Sequence, residues 1–265
     1  MTFSLAALFV VALGGLGLVV GSFLNVVAYR VPVGASIVRP GSACPGCGSP
    51  IRSRDNIPVV SWLLLRGRCR DCSQVVAGRY PLVEASTGVL FAALAATYGP
   101  VAVLPALLYL AAAGVALFLI DLDHQRLPDA IVLSSYPVLA VLLGGGVALG
   151  GAFPLWRAAA SVALWLAVYG LIWLVTAGRG MGLGDVKLSG VLGLMLGWLG
   201  WGPSLVGLLG GFVIGGVVGM LLIAGGRAGR ATRIAHGPFM LAGAALAAFV
   251  GADLWTAYLA FTGLG

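Results

Sequence analysis

The chain has 265 residues, of which 60% are hydrophobic and 9% charged, and its mean hydropathy is +1.07. Soluble domains carry about 25% charged residues, so this composition excludes a soluble globular protein and points to several membrane spans. The net charge of +7 is spread between apolar runs, which fits a lipid-facing role and gives no reason to expect a nucleic-acid partner.

An apolar run from Leu5 to Val20 opens the chain. No basic segment precedes it and no small-residue cleavage site leads into a soluble domain, so it reads as a retained first span rather than a secretory signal. A spanning helix needs about 20 apolar residues. Eight candidate spans follow: 3–27, 82–98, 101–120, 130–150, 154–177, 188–201, 203–225 and 238–262. Gly99-Pro100 breaks the second from the third, and only Gly200 to Pro203 parts the sixth from the seventh. The expected fold is an all-α polytopic membrane protein with about eight transmembrane helices and a cytoplasmic zinc-ribbon-like loop. Its parts would be a first helix (1–29), a cysteine loop (30–80) and a transmembrane domain (81–265).

Charge sets the orientation. Residues 30–79 hold eight arginines against Asp55 and Asp71, a net +6. The positive-inside rule makes this segment cytoplasmic, with both chain ends outside. The same topology puts Arg126, Arg179, Lys187, Arg227, Arg230 and Arg233 inside and leaves only Arg157 outside. A wrong span count would scatter these charges over both sides.

The basic loop contains all four cysteines, as Cys44-Pro-Gly-Cys47 and Cys69-Arg-Asp-Cys72, 21 residues apart. Each CxxC turn presents two sulfurs to one ion, and four thiolates complete a tetrahedral zinc site. A loop of about 50 residues has little core, so the metal would supply folding energy. Two disulfides are disfavoured in a reducing cytoplasm. A thioredoxin-like redox pair is disfavoured by the absence of a βαβ pattern. The expected metal ligands are Cys44, Cys47, Cys69 and Cys72, with zinc in a structural role.

Two acidic segments remain. Phe118-Leu119-Ile120-Asp121-Leu122-Asp123-His124 closes the third span and runs on to Pro128-Asp129. Gly180-Met181-Gly182-Leu183-Gly184-Asp185-Val186-Lys187 leads into the sixth. Carboxylates at membrane depth are costly and mark functional sites. Both segments reach the cytoplasmic side in this topology. Two carboxylates sharing a proton can activate a water and protonate a leaving group. The two histidines make no HExxH zinc site, and no Ser-His-Asp or Cys-His set is present.

These segments, with Gly21-Ser22-Phe23-Leu24-Asn25, Arg79-Tyr80-Pro81 to Glu84 and the cysteine pairs, resemble the bacterial type IV prepilin peptidases over nearly the whole chain. The resemblance implies that Asp121 and Asp185 are the catalytic acids. Gly182, Gly184, Lys187, Asp123, Pro128 and Asp129 would be supporting positions. It implies cleavage after a glycine at the end of a basic leader, at the cytoplasmic face of the inner membrane. It also implies methylation of the new N-terminus by S-adenosylmethionine, with the cysteine loop associated with that second activity. The substrates would be prepilin and pseudopilin N-terminal segments lying in the lipid bilayer. No residues for the methyl donor can be read from the sequence. The remaining alternatives are a cleavage-only peptidase with a structural zinc loop, a membrane ion or metal transporter, and a scaffold of a secretion machine.

Two mechanistic expectations accompany this reading. Asp185, just before a helix N-terminus and near Lys187, would be the base; Asp121, at a helix C-terminus, would be the acid. Acids near the site, Asp129 among them, would recognise the basic leader.

Overall fold

In a computed structural model of the chain, residues 3–151, 154–227, 229 and 235–263 are described. The basic positions Arg230 and Arg233 fall outside them. Nine α-helices occur among the described residues: α1 Phe3–Arg30, α2 Val60–Leu64, α3 Arg79–Tyr98, α4 Leu104–His124, α5 Asp129–Ala148, α6 Leu155–Val175, α7 Leu183–Leu199, α8 Trp201–Ala224 and α9 Gly237–Thr262. Seven of them are long and apolar enough to cross a membrane: α1, α3, α4, α5, α6, α8 and α9. The protein is an all-α polytopic membrane protein.

The chain divides into two compact units, residues 1–104 with 108–116, and residues 105–107 with 117–265. In the first unit α1 packs along α3. The contact is made by small residues. A β-carbon on Gly17 would stand 2.7 Å from the Thr87 carbonyl oxygen, and one on Gly21 would stand 2.8 Å from Glu84 Cα. The backbones therefore lie closer than any larger side chain permits, which is how helices associate where lipid removes the hydrophobic drive. The segment between α1 and α3 is tied back to them. Asn25 Nδ2 donates to the Tyr80 carbonyl at 3.2 Å, and the Val59 N–H donates to Glu84 Oε2 at 2.7 Å.

The second unit is built around α7. Leu188, Leu192 and Met195 are fully enclosed, and α5, α6, α8 and α9 all pack on this helix. The expected sixth span, 188–201, is corrected here: the helix starts five residues earlier, at Leu183, and has 17 residues. At 1.5 Å per residue it is about 26 Å long, slightly short of a bilayer core. Protein surrounds it, so it needs no full-length match to lipid. The glycine-rich turn before it hides the helix start from sequence reading, because glycine there reads as a break.

Arg157 on α6 donates from Nε to the Gly197 carbonyl and from Nη2 to the Trp198 carbonyl, each at 2.8 Å. It caps the C-terminal end of α7, where unpaired carbonyls and the helix dipole favour a cation.

Candidate active site and metal centre

Asp121 lies three residues before the end of α4 and Asp185 in the first turn of α7. Both are buried, at 4% and 8% exposure. Asp185 is inside the helix, not before it as the sequence suggested. Its Oδ2 accepts the Gly182 N–H at 3.0 Å, satisfying one of the donors that every helix start leaves open.

The two acids share neighbours. A β-carbon on Gly184 would stand 3.0 Å from Leu127 Cβ; one on Gly237 would stand 3.4 Å from Leu127 Cδ1 and 2.5 Å from Asp121 Oδ2. Leu127 therefore sits between the turn that carries Asp185 and the glycine against Asp121. Asp121 Oδ2 is enclosed without a hydrogen-bond partner among the described residues. The Gly237 N–H is the backbone donor interacting with this carboxyl group.

The other expected residues have distinct places. Gly182 supplies the N–H to Asp185, and Gly184 lets Leu127 approach. Pro128 precedes the first residue of α5 with φ −62°, a value its ring imposes. Asp129 opens α5 and is exposed; both its oxygens accept from Lys187 Nζ at 2.8 Å. Lys187 is thus bound to Asp129, whereas the sequence placed its charge on Asp185. Asp123 is exposed, two residues and so about 200° around α4 from Asp121.

Three residues near the site escaped the sequence analysis. Gly237 opens α9 against Asp121. Tyr169 is fully enclosed, stacked 5.1 Å from Phe212, with its hydroxyl 3.5 Å from His236 Nε2 and Asp185 within electrostatic reach. The available signal was His236-Gly237-Pro238 at the head of the last helix, because His236 is one of two histidines in the chain.

The cysteines are all free thiols and lie in the first unit. Their four sulfurs fall within 4.8 Å of one another, and Cys44 Sγ is 3.7 Å from Cys72 Sγ. Four thiolates at the usual zinc bond length of ~2.3 Å sit about 3.8 Å apart, so the cluster fits a tetrahedral ion. The two CxxC turns are built alike. The N–H of Cys44 donates to Ser49 O and that of Gly48 to Cys44 O; the N–H of Cys69 donates to Gln74 O and that of Ser73 to Cys69 O. Each turn is closed by one bridge, Ala43 with Pro50 and Arg68 with Val75. The fifth residue of each has positive φ, Gly48 at 71° and Ser73 at 60°. At Cys47, hydrogen bonds from the Ser49 hydroxyl and N–H bring the thiol down to about 7, which favours the thiolate that a metal needs.

Residues 107–220 match the type IV leader peptidase family, and residues 16–98 match the bacterial peptidase A24 N-terminal domain. A prepilin leader peptidase/N-methyltransferase of Stutzerimonas stutzeri is 36% identical over 273 residues, covering 94% of this chain and 93% of the relative. The chain belongs to the type IV leader peptidase family. Proteins of the same description from Myxococcus xanthus and Pseudomonas aeruginosa are similar as well. The first is 44% identical over 85% of this chain and 67% of the relative, the second 35% over 94% and 92%. No solved structure matches the chain. Membership in this family disfavours the transporter and scaffold readings.

Proposed function

We propose that the protein removes the leader peptide from type IV prepilins and pseudopilins, after the glycine that ends the leader, at the cytoplasmic face of the inner membrane. It then methylates the new N-terminal amine. The observation that carries the reading is the pair of enclosed carboxylates, Asp121 and Asp185, held on separate helices around Leu127 in a chain of the leader peptidase family. Arrangements of this kind share one proton between two acids and hold a water between them.

In the proposed cycle Asp185, already bonded by Gly182, accepts a proton from the water as its oxygen adds to the scissile carbonyl. Asp121 gives its proton to the carbonyl oxygen. Collapse then breaks the C–N bond: the proton on Asp185 passes to the leaving nitrogen, and one hydroxyl of the diol returns its proton to Asp121. The products are a leader ending in a carboxyl group and a pilin with a free N-terminal amine. The bilayer holds the apolar pilin helix while the basic leader stays in the aqueous phase. We assign leader contact to the exposed acids Asp123 and Asp129.

Zinc on Cys44, Cys47, Cys69 and Cys72 would fix the fold of the loop, since four thiolates leave no open coordination position. When bound, S-adenosylmethionine would supply the methyl group to the pilin amine, which would release one proton, and would leave as S-adenosylhomocysteine.

Purified protein incubated with a model prepilin and S-adenosylmethionine tests the reading by mass spectrometry. A pilin shortened by its leader and carrying one added methyl supports both activities. A shortened pilin without methyl leaves only the peptidase, the cleavage-only alternative. An intact prepilin removes the proposal.

A further inference from the structure

Within the first unit, a cavity of about 580 Å³ lies between α1, the cysteine loop and the start of α3. Its walls mix apolar surface from Phe23, Val26 and Trp62 with polar groups from Asn25, Asn56 and Glu84, and Arg30, Arg68, Arg70, Asp55 and Asp71 add charge at its border. Sites for small organic ligands have volumes of about 300–1,000 Å³ and this same blend of apolar wall and a few placed polar groups. A lipid tail needs no carboxylate, and a bare ion needs no aromatic wall.

The polar groups are held in place. Glu84 is 9% exposed, and its Oε2 accepts the Val59 N–H at 2.7 Å. A carboxylate enclosed this far is stabilised by a positive charge beside it, and the arginines that also line the cavity bond other groups: Arg30 the Ser36 carbonyl, Arg68 the Ser73 carbonyl and Arg70 the Asp55 carboxylate. Trp62 donates Nε1–H to the Val76 carbonyl at 3.0 Å, and Gly67 packs against its ring: a β-carbon there would stand 2.9 Å from Cζ2. The indole is therefore fixed in orientation. Asn25 is held by the Gly21 and Tyr80 carbonyls. Cys44 and Cys69 also border the cavity, so the metal-binding turns form part of its wall.

We propose that this cavity is the methyl-donor site, taking S-adenosylmethionine with the cationic sulfonium end toward Glu84 and the purine against the apolar wall that includes Trp62. The inference rests on the methyl-transfer reading above and adds its location. A purine needs a flat apolar surface, the ribose needs hydrogen-bonding partners, and the sulfonium needs an anion or a ring face. The cavity walls offer each of these. The arrangement also gives the zinc cluster a purpose beyond holding a loop together, because it shapes one side of the pocket.

The test measures equilibrium binding of S-adenosylmethionine and of its neutral product S-adenosylhomocysteine to the purified full chain. Prepilin cleavage is the check that each variant is folded. Val26→Trp fills the cavity and is expected to weaken binding of both ligands at least tenfold while cleavage continues. Glu84→Gln keeps an acceptor for the Val59 N–H but removes the charge. It is expected to weaken the cationic ligand about tenfold and the neutral one less than threefold. Should Val26→Trp fail to fold, photo-crosslinking of 8-azido-S-adenosylmethionine to the wild type replaces it, with adducts expected within residues 19–26 or 56–65. Wild-type binding that survives in Val26→Trp, an equal loss of both ligands in Glu84→Gln, or adducts confined to other segments would overturn the assignment of the cavity. Failure of the wild type to methylate cleaved pilin would instead remove the underlying methyl-transfer reading.

Discussion

Lys187 and Asp129 join the starts of α7 and α5 through two 2.8 Å contacts from one ammonium to both carboxylate oxygens. A second tie lies one step away, where the Tyr136 hydroxyl donates to the Lys187 carbonyl at 2.8 Å. Both hold the first turns of α7, which carry Asp185, against α5, the helix that follows the one carrying Asp121. The ion pair is well exposed, with side-chain exposures of 36% and 56%, and exposed pairs contribute only about 0.2–1 kcal/mol. Lys187→Met should therefore lower cleavage less than about tenfold and leave both limbs of the pH–rate profile unmoved, because its charge is spent on Asp129. A double-mutant cycle with Asp129→Asn should give a coupling within the exposed-pair range. A shifted limb in Lys187→Met would place the lysine back on Asp185.

Gly237 presses on Asp121. A β-carbon there would stand 2.5 Å from Oδ2, nearer than any real contact allows, so the carboxylate must move in Gly237→Ala. A displacement of about 1 Å at a reacting group can cost roughly 10²-fold in rate. Cleavage should fall by that order while S-adenosylmethionine binding in the first unit is unchanged. Cleavage kinetics and a binding isotherm on the same preparation check both halves.

Zinc content and cysteine reactivity test the metal centre. The purified protein should hold one zinc ion, and Cys44→Ser should lower that content. After the metal is stripped, Cys47 should be the first thiol alkylated at neutral pH. It is exposed, and hydrogen bonds from Ser49 have brought its thiol down to about 7; the thiolate is the reactive form. Peptide mapping after brief treatment with iodoacetamide reads the order. Because Cys72, pushed up to about 12, must also lose its proton to bind the metal, zinc uptake should weaken throughout as pH falls, and more steeply below about 7, where Cys47 retains its proton as well.

Arg157 should matter to stability rather than to chemistry. Removing its two bonds to the Gly197 and Trp198 carbonyls leaves the C-terminal end of α7 uncapped. Bonds to charged groups contribute about 1.5–3 kcal/mol. Arg157→Met should lower the thermal unfolding midpoint of the detergent-solubilised protein by several degrees and leave KM for prepilin unaltered.

Apolar length made most of this architecture readable in the sequence, because it acts locally along the chain. Seven spans follow from it directly, and the cysteine cluster from the spacing of its two CxxC pairs. The start of α7 did not, since Gly182 and Gly184 read as breakers while the turn they form is stabilised by a bond from Gly182 to the Asp185 side chain. The partner of Lys187 lies 58 residues away, beyond any helical spacing rule. Gly237 and Tyr169 reach the site only because α9 and α6 fold onto it, and neither carries a signature of its own. The α1–α3 contact at Gly17 and Gly21 belongs to the same class: the glycines are visible, but not what they face.

The most direct measurement is the rate at which purified Asp121→Asn and Asp185→Asn cleave a model prepilin, beside wild type, with S-adenosylmethionine binding as the test of folding. Each substitution should reduce cleavage by at least 10²–10⁴-fold, the range general acid–base catalysis contributes, with donor binding intact. Cleavage by either variant within tenfold of wild type would contradict the two-aspartate account.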